Sequence, residues 1–388
     1  MWKRVSKLTA KKALSYYIHI PFCSSKCFYC DFDSGLADYN TKETYIELLI
    51  KEMRLAYSAY ELSFIDTGTV FIGGGTPSSL EEALLEKLLL AVGRYLIRGQ
   101  KTEFTAECNP ESINENKLKL MKAAGVNRLS FGLQSANETE LKTLGRIHDY
   151  ETFLRAFEMA RAYGFDNINV DLMFALPHQS MESFKNTLGK VLSLDTEHIS
   201  LYGLIIEPGT KMEKYYGSNK AVFPSEIIYN KMYCYAVKLL EQQGYAQYEI
   251  SNFAKTGRQC RHNVVYWKSG EYIGLGRSAH SFFERKRFYN AKNDYEKLLH
   301  QDILPKSNEE YIDDRSLYNE WIMLRLRMND GINIEHINSR FKIDFLKQNE
   351  KTLLSYIKTG HVKIEENRVF LTLKGFEISN SIMVNLMI

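Results

Sequence analysis

Short apolar runs alternate with longer segments of helical periodicity through the first 245 residues of this chain. The apolar runs predict strands at Leu14–Ile20, Thr69–Ile72, Glu103–Cys108, Arg128–Gln134, Asn167–Met173 and His198–Leu204. Apolar residues recurring every three or four positions predict helices at Thr41–Tyr60, Leu80–Leu96, Asn114–Ala124, Tyr150–Tyr163, Met181–Leu192 and Glu226–Gln243. Six strand–helix units in strict alternation favour a parallel sheet with outer helices. Because a closed barrel of this kind needs eight units, we predict an α/β fold, an open and partial (β/α)6 barrel.

The pattern changes after residue 245. Residues 246–310 are rich in aromatic, glycine and histidine residues and lack helical periodicity, which predicts short strands and loops. Helical patterns return at Ser316 and end in HVKIEENRVFLTLKGF, whose alternation around a turn predicts a β-hairpin. Helices followed by such a hairpin are typical of a winged-helix module. We therefore predict a basic tail (1–12), the barrel (13–245), a mixed segment (246–310) and a winged-helix-like domain (311–388).

Composition narrows the class of protein. The 388 residues are 45% hydrophobic and 25% charged with a net charge of +3, an ordinary globular balance that argues against an extended nucleic-acid surface. No apolar run approaches the ~20 residues that span a bilayer. The basic N-terminal stretch lacks the apolar segment of a signal peptide, and three of the six cysteines cluster tightly. We expect a cytoplasmic protein, at most peripheral to a membrane, with a metal or redox site.

The clustered cysteines, Cys23, Cys27 and Cys30, follow the first predicted strand with the spacing C-x3-C-x2-C. Pro21 and the serines between the cysteines predict an exposed loop rather than three core thiols. A structural zinc site takes four protein ligands, and no cysteine or histidine follows nearby to supply the fourth. A 4Fe–4S cluster also takes four ligands. Three thiolates would leave one iron open for an exchangeable small molecule.

Polar residues recur where the predicted strands end. Glu107 and Gln134 end the third and fourth predicted strands, Asp171 lies on the fifth, and Arg146 lies in LGRIHD. The carboxyl ends of parallel strands meet at one edge of a sheet, so these side chains predict a ligand site. The triple glycine in FIGGGTPS allows the backbone to approach a ligand closely. An ion pair between Glu107 and Arg146 is the alternative for those two residues.

The motifs YIHIPFCSSKCFYCDF, FIGGGTPS, ECNPES, RLSFGLQS, LGRIH and ISLYGLIIEPGT resemble the radical S-adenosylmethionine family that contains oxygen-independent coproporphyrinogen III dehydrogenase and HemW. The resemblance runs from about Ser15 to the C-terminus. It implies a 4Fe–4S cluster on the three cysteines, with S-adenosylmethionine on the open iron. It also implies an S-adenosylmethionine pocket lined by Tyr17, Tyr29, Gly74, Gly75, Thr76, Glu107, Gln134, Arg146 and Asp171.

Two features make the chain resemble the HemW branch of this family, whose members are regarded as haem-binding chaperones. The decarboxylating branch has a further cysteine where this chain has Phe32, and HNVVYW matches the HNxxYW motif of HemW. This implies haem and an acceptor haemoprotein as partners, and a homodimer is possible. The motif's histidine is a candidate axial ligand and its aromatic residues offer flat faces to a porphyrin. The haem candidates are His262, Tyr266, Trp267 and, second, His280, whereas we expect the neighbouring Cys260 to be a packing residue.

Two alternative functions and two departures from the family pattern bear on this interpretation. Oxidative decarboxylation of coproporphyrinogen is the enzymatic alternative, which the absence of a thiol at Phe32 disfavours. A DNA-binding regulator is the alternative for the C-terminal module, although its mixed charges argue against tight phosphate binding. The family usually has Gly-x-Pro-Gly-Gln where this chain has ALPHQ, which we expect to bring His178 beside the pocket. It has Gly-x-Gly-Ala-His where this chain has GRSAH, with Ser278 replacing a glycine.

Overall fold

The computed structural model describes residues 13–388, so the predicted basic tail at 1–12 lies outside the described residues. The strands are β1 (Leu14–Ile20), β2 (Thr67–Gly74), β3 (Glu103–Cys108), β4 (Arg128–Gln134), β5 (Ile168–Phe174), β6 (His198–Gly203), β7 (Ala246–Glu249), β8 (Asn252–Ala254), β9 (Tyr272–Leu275), β10 (His280–Phe283), β11 (Lys286–Tyr289), β12 (Ser307–Tyr311), β13 (Ile332–Asn333), β14 (Val362–Glu365) and β15 (Arg368–Leu371).

The helices are α1 (Tyr39–Ala59), α2 (Glu82–Tyr95), α3 (Glu115–Ala123), α4 (Glu138–Thr143), α5 (Tyr150–Ala162), α6 (Met181–Leu192), α7 (Lys211–Tyr216), α8 (Glu226–Gln242), α9 (Arg261–Trp267), α10 (Lys292–Lys297), α11 (Asp314–Arg325), α12 (Ile334–Phe341), α13 (Phe345–Gln348), α14 (Glu350–Lys358), α15 (Leu373–Glu377) and α16 (Ser379–Leu386). Within residues 13–388, no helix combines the length and the apolar character that a membrane span requires.

The strands β1 to β6 lie side by side in chain order, and each pairs in parallel with the next. Parallel strands of this kind are covered on both faces, and β4 accordingly has six of its seven residues buried. The intervening helices bury one apolar face each, for example Leu49 and Met53 of α1. This arrangement confirms the predicted α/β fold of six strand–helix units and brings the carboxyl ends of six strands to one edge.

The mixed segment extends this sheet at both ends. Strands β8 and β7 continue it beyond β6, while β9 pairs in parallel with β1 and is followed outward by β10, β11 and β12. The prediction that residues 246–310 have no helix is wrong, because α9 and α10 lie within them. The helix α9 escaped detection because it is only seven residues long, and aromatic residues mask the periodicity of so short a segment.

The C-terminal helices enclose a core of their own. Trp321 and Ile322 of α11, Ile337 of α12 and Phe345 are buried together beneath a small antiparallel sheet in the order β13–β15–β14. Strands β14 and β15 form the predicted hairpin, with Glu365 opposite Arg368 next to the turn. The helices α11 to α16 around this small sheet, with β14 and β15 as a two-stranded wing, match the predicted winged-helix-like arrangement.

Candidate functional site

The carboxyl ends of β1 to β6 surround a cavity of about 350 Å³, here called the thiol cavity. All the residues predicted for the cluster and for S-adenosylmethionine line it except Tyr17. They are Cys23, Cys27, Cys30, Tyr29, Gly74, Gly75, Thr76, Glu107, Gln134, Arg146 and Asp171. The fold therefore brings together side chains that are up to 148 positions apart, as expected for loops at one edge of a parallel sheet.

The three thiols face this cavity with polar partners around them. The hydroxyl of Thr76 donates to the Cys23 sulfur at 3.6 Å, and the Arg146 guanidinium donates to the Cys27 sulfur at 3.3 Å. Among the described residues, no three cysteine, histidine or acidic side chains converge closely enough to hold a single metal ion. Three cysteine sulfurs at one cavity, with a cationic donor on one of them, are a ligand set that suits an iron–sulfur cluster.

Two glycines let the chain after β2 pass close to the cysteine loop. A Cβ on Gly75 would lie 2.5 Å from the carbonyl oxygen of Phe22, a backbone atom that cannot move aside. Gly74 has a φ of 111°, which favours glycine, and its N–H donates to a carboxylate oxygen of Glu107 at 3.1 Å. Gly75 is therefore required because the chain passes close to the Phe22 carbonyl, and Gly74 because of its backbone conformation.

Two partly buried acidic side chains, Glu107 and Asp171, line the thiol cavity. Burial, with a smaller contribution from the nearby Asp171, raises the pKa of Glu107 to about 8. Burial also raises the pKa of Asp171, although Ser200 and Asn169 offset part of the effect by hydrogen bonding. Desolvated carboxyls whose pKa values are raised in this way favour a positively charged or hydrogen-bond-donating ligand.

The alternative of an ion pair between Glu107 and Arg146 does not fit the contacts. Arg146 donates to the carbonyl oxygen of Gly132 at 2.6 Å, to the amide oxygen of Asn109 at 2.8 Å and to Cys27. Its Nε is buried and has no hydrogen-bond partner. The guanidinium therefore fixes one cysteine and retains one donor, which a ligand could satisfy.

Sequence reasoning missed several residues of this cavity. Asn109 donates to the Thr76 hydroxyl at 2.9 Å while accepting from Arg146, so it connects two predicted residues. Tyr202, Met173 and Ser130 also line the cavity. Asn109 lies in the motif ECNPES and Tyr202 in ISLYGLIIEPGT, so the motifs themselves could have pointed to these two residues.

A second, larger cavity of about 620 Å³ lies between β9–β11 and α11 and is here called the aromatic cavity. Tyr17, predicted for the S-adenosylmethionine pocket, lines this cavity instead, and its hydroxyl is hydrogen-bonded to His19 Nδ1 at 3.0 Å. The lining residues include Tyr17, Phe32, Tyr266, Tyr272, His280, Phe282, Arg287, Glu320, Met323 and Leu324. Phe32 lines both cavities, so the residue that replaces the fourth cysteine stands where they meet.

His262 lies behind the wall of the aromatic cavity. It is 1% exposed, its Nδ1 is hydrogen-bonded to the Thr69 hydroxyl at 2.6 Å, and its Nε2 to the Tyr266 hydroxyl at 2.7 Å. Burial, reinforced by Arg128, lowers the pKa of His262 to about 3. In this conformation both ring nitrogens are engaged, which weighs against the predicted axial ligation by His262. Of the motif's aromatic residues, Tyr266 lines the cavity, and Trp267 is not among its lining residues.

His280, the second haem candidate, is exposed at the wall of the aromatic cavity and stacks on Tyr289 with ring centroids 5.2 Å apart. Partial burial and the nearby Arg287 lower the pKa of His280, which favours the neutral form of its ring. A neutral imidazole facing an aromatic cavity can bind a metal at the cavity.

Of three further residues from the sequence analysis, Ser278 lines the aromatic cavity, whereas Cys260 and His178 line neither cavity. Cys260 is fully buried beside Glu103, as expected for a packing residue. The expectation that His178 lies beside the pocket is wrong: its backbone N–H donates to the Val222 carbonyl oxygen, and it lines neither of the two cavities. Ser278 adopts the positive φ of 63° that the usual glycine would favour, and its hydroxyl donates to Asp33 at 2.6 Å.

Comparisons with known proteins agree with these features. Residues 17–191 match the Radical SAM superfamily, and residues 312–378 match the HemN C-terminal domain. The chain is similar in fold to a solved structure titled "Coproporphyrinogen III oxidase (HemN) from Escherichia coli is a Radical SAM enzyme". That likeness has a TM-score of 0.85, at 22% sequence identity, over 97% of this chain and 90% of the other.

Proteins named "Heme chaperone HemW" are similar over nearly the whole sequence. The Lactococcus lactis protein is 35% identical over 96% of this chain and 97% of its own length. The Bacillus subtilis protein is 34% identical over 95% of this chain and 97% of its own length. The Escherichia coli protein is 40% identical over 69% of each chain. With the cysteine loop, the glycine turn and the HNVVYW helix in place, this chain belongs to the HemW family of radical S-adenosylmethionine proteins.

Proposed function

We propose that this protein is a haem chaperone that binds a 4Fe–4S cluster and S-adenosylmethionine in the thiol cavity, binds haem in the aromatic cavity, and passes the haem to an acceptor haemoprotein. The observation that carries the proposal is an exposed imidazole, His280, on the wall of an apolar cavity of about 620 Å³. Ligand cavities of proteins range over roughly 300–1,000 Å³, so the size suits a tetrapyrrole.

The lining of the aromatic cavity supports haem as the ligand. Tyr272 and Phe282 supply flat aromatic surface, and Met323 and Leu324 supply aliphatic surface on the opposite side. Burying the apolar face of a porphyrin contributes ~25 cal/mol per Å², so most of the affinity would come from this surface. The iron–imidazole bond would then fix the orientation of the haem rather than supply all of its binding free energy.

The thiol cavity supports the cluster and S-adenosylmethionine. Cys23, Cys27 and Cys30 would hold three irons of the cluster, and the fourth iron would bind the amino and carboxylate groups of S-adenosylmethionine. When reduced, such a cluster supplies one electron to a bound sulfonium. The partly buried Glu107 and the unpaired Nε of Arg146 are the polar groups placed to orient that ligand.

Phe32 supports transport over decarboxylation. Its 62%-exposed side chain lines both cavities and provides no thiol to react with a substrate radical. The alternative function, oxidative decarboxylation of coproporphyrinogen III, predicts anaerobic release of carbon dioxide and formation of protoporphyrinogen. We expect neither product from the cluster-loaded protein.

The proposal is tested by anaerobic titration of the cluster-loaded protein with ferric haem. We expect a Soret band that saturates at one haem per chain and shifts or weakens in His280→Ala. His300→Ala is the matched control, because His300 is exposed and lies outside the aromatic cavity. Absence of a saturable Soret band in the unaltered protein would contradict the proposal. An unchanged band in His280→Ala would show that the ligand is another residue.

A further inference from the structure

The strands β10 and β11 present one face to the aromatic cavity. His280 pairs with Tyr289 across the two strands, and Phe282 pairs with Arg287. Cross-strand partners point to the same side of a sheet, as do residues two apart on one strand, so these four side chains share a face. The Arg287 guanidinium lies over the Phe282 ring, 5.6 Å from its centroid. One hairpin face thus carries an imidazole, aromatic surface and a guanidinium.

The guanidinium is already occupied by a carboxylate from another element. Arg287 donates to both carboxylate oxygens of Glu320 in α11, at 2.6 and 2.9 Å. Both side chains line the aromatic cavity and remain partly exposed, 38% for Arg287 and 23% for Glu320. Met323 and Leu324, three and four positions after Glu320, line the same cavity, so Glu320 lies on the face of α11 that looks into it. The pair therefore spans the cavity rather than lying on the outer surface.

Haem has two propionate groups, and the fork of a guanidinium matches a carboxylate with two parallel hydrogen bonds. Resting on the proposed haem function, we propose that Arg287 is the propionate-binding residue of the aromatic cavity and that Glu320 occupies its place until haem displaces it. The exchange is carboxylate for carboxylate, so the guanidinium keeps an anionic partner throughout. The cavity would accordingly select porphyrins that carry a free carboxylate beside the macrocycle.

The competing side chain also accounts for release. A carrier must give up its ligand, and an internal carboxylate that recaptures Arg287 lowers the affinity for haem without removing any contact to the macrocycle. Glu320 remains near the cavity after displacement because it is held on a helix. Recapture is therefore intramolecular and fast relative to rebinding of a dilute haem.

Glu310 provides a matched control for Glu320. It lies opposite Arg287 on β12 and its charge acts on the same guanidinium, but it is exposed and is not among the residues that line the cavity. Glu320→Gln and Glu310→Gln each remove one negative charge that acts on Arg287. Only Glu320→Gln removes a carboxylate that is hydrogen-bonded to Arg287 inside the cavity.

The experiment measures binding of haem and of haem dimethyl ester, whose propionates are neutral, to four proteins: unaltered, Glu320→Gln, Glu310→Gln and Arg287→Gln. Glu320→Gln should bind haem about fivefold more tightly, with slower transfer to a haem-free acceptor, and Arg287→Gln about tenfold more weakly. Neither change should alter the affinity for the dimethyl ester, and Glu310→Gln should behave as the unaltered protein. Thermal unfolding of each variant checks that the fold is kept.

Two results separate the inference from the function on which it rests. If the unaltered protein binds both haem and the ester and Glu320→Gln leaves haem affinity unchanged, the exchange is wrong while haem binding stands. The exchange is also wrong if Glu310→Gln raises the affinity for haem as much as Glu320→Gln does. It is wrong as well if Glu320→Gln raises the affinity for the dimethyl ester as much as the affinity for haem. If the unaltered protein binds neither porphyrin, both the function and the inference are overturned.

Discussion

Replacing His262 by alanine should destabilise the protein more than it weakens haem ligation. The imidazole is buried and bonds to Thr69 and Tyr266, so its removal leaves two hydroxyl groups without a partner. Each unsatisfied buried group costs ~1–3 kcal/mol, and the ring also loses its stacking on Phe71, whose centroid lies 5.1 Å away. The sum is about 4 kcal/mol, which for a chain of this length is a fall in Tm of roughly 5 °C.

The assay compares His262→Ala with His280→Ala by thermal unfolding and by haem titration. His280 is exposed, so its removal should change stability by less than ~0.5 kcal/mol while altering the Soret band. His262→Gln should recover part of the lost stability, because an amide can both donate and accept. The reasoning is refuted if His262→Ala unfolds at the temperature of the unaltered protein but loses the Soret band. That result would show that His262 is the iron ligand and that its two hydrogen bonds contribute little to stability.

Three further predictions concern the barrel. Cys27→Ala should lose the iron–sulfur absorption on anaerobic reconstitution, whereas Cys234→Ala should keep it; a full spectrum in Cys27→Ala contradicts the ligand assignment. Gly75→Ala should lose ~1–3 kcal/mol of stability and most S-adenosylmethionine binding by equilibrium dialysis, because its Cβ would meet the Phe22 carbonyl; normal binding would show that the loop adapts. Burial raises the pKa of Glu52 to about 8 from 4.5, so its contribution to stability is complete below pH 4.5 and is lost as pH rises through about 8. Glu52→Gln should flatten the plot of Tm against pH between about 4.5 and 8. If the slope in this range is unchanged, the pH dependence comes from another group.

The barrel and the thiol cavity could be predicted from the sequence because their signals are local. Strand and helix periods give six strand–helix units, and polar residues at strand ends then meet at one edge by topology alone. Individual boundaries moved by a few residues, as in β2, which begins at Thr67 rather than Thr69. Such ends depend on pairing with neighbouring strands, here β1 and β3, that a linear pattern does not contain.

The aromatic cavity could not be predicted in the same way, because most of it is built by elements outside the strand–helix repeat, whose positions the repeat does not fix. Arg287 and Glu320 are 33 positions apart and lie in elements whose pairing the pattern does not specify. A histidine in an aromatic motif indicates either a ligand or a buried hydrogen-bonded ring, and only the contacts of His262 separate the two. Tyr17 illustrates the same limit, since alternation places it on a strand face without saying which cavity that face lines.

Haem transfer tests the account most directly. The cluster-loaded protein, saturated with ferric haem under anaerobic conditions, is mixed with haem-free myoglobin as a spectroscopic acceptor, and the Soret band of each partner is followed over time. We expect haem to pass to the acceptor in the unaltered protein at a rate independent of acceptor concentration at saturation, and His280→Ala to release it faster. Failure of the unaltered protein to take up haem, or retention of haem in the presence of excess acceptor, would contradict the proposed chaperone function.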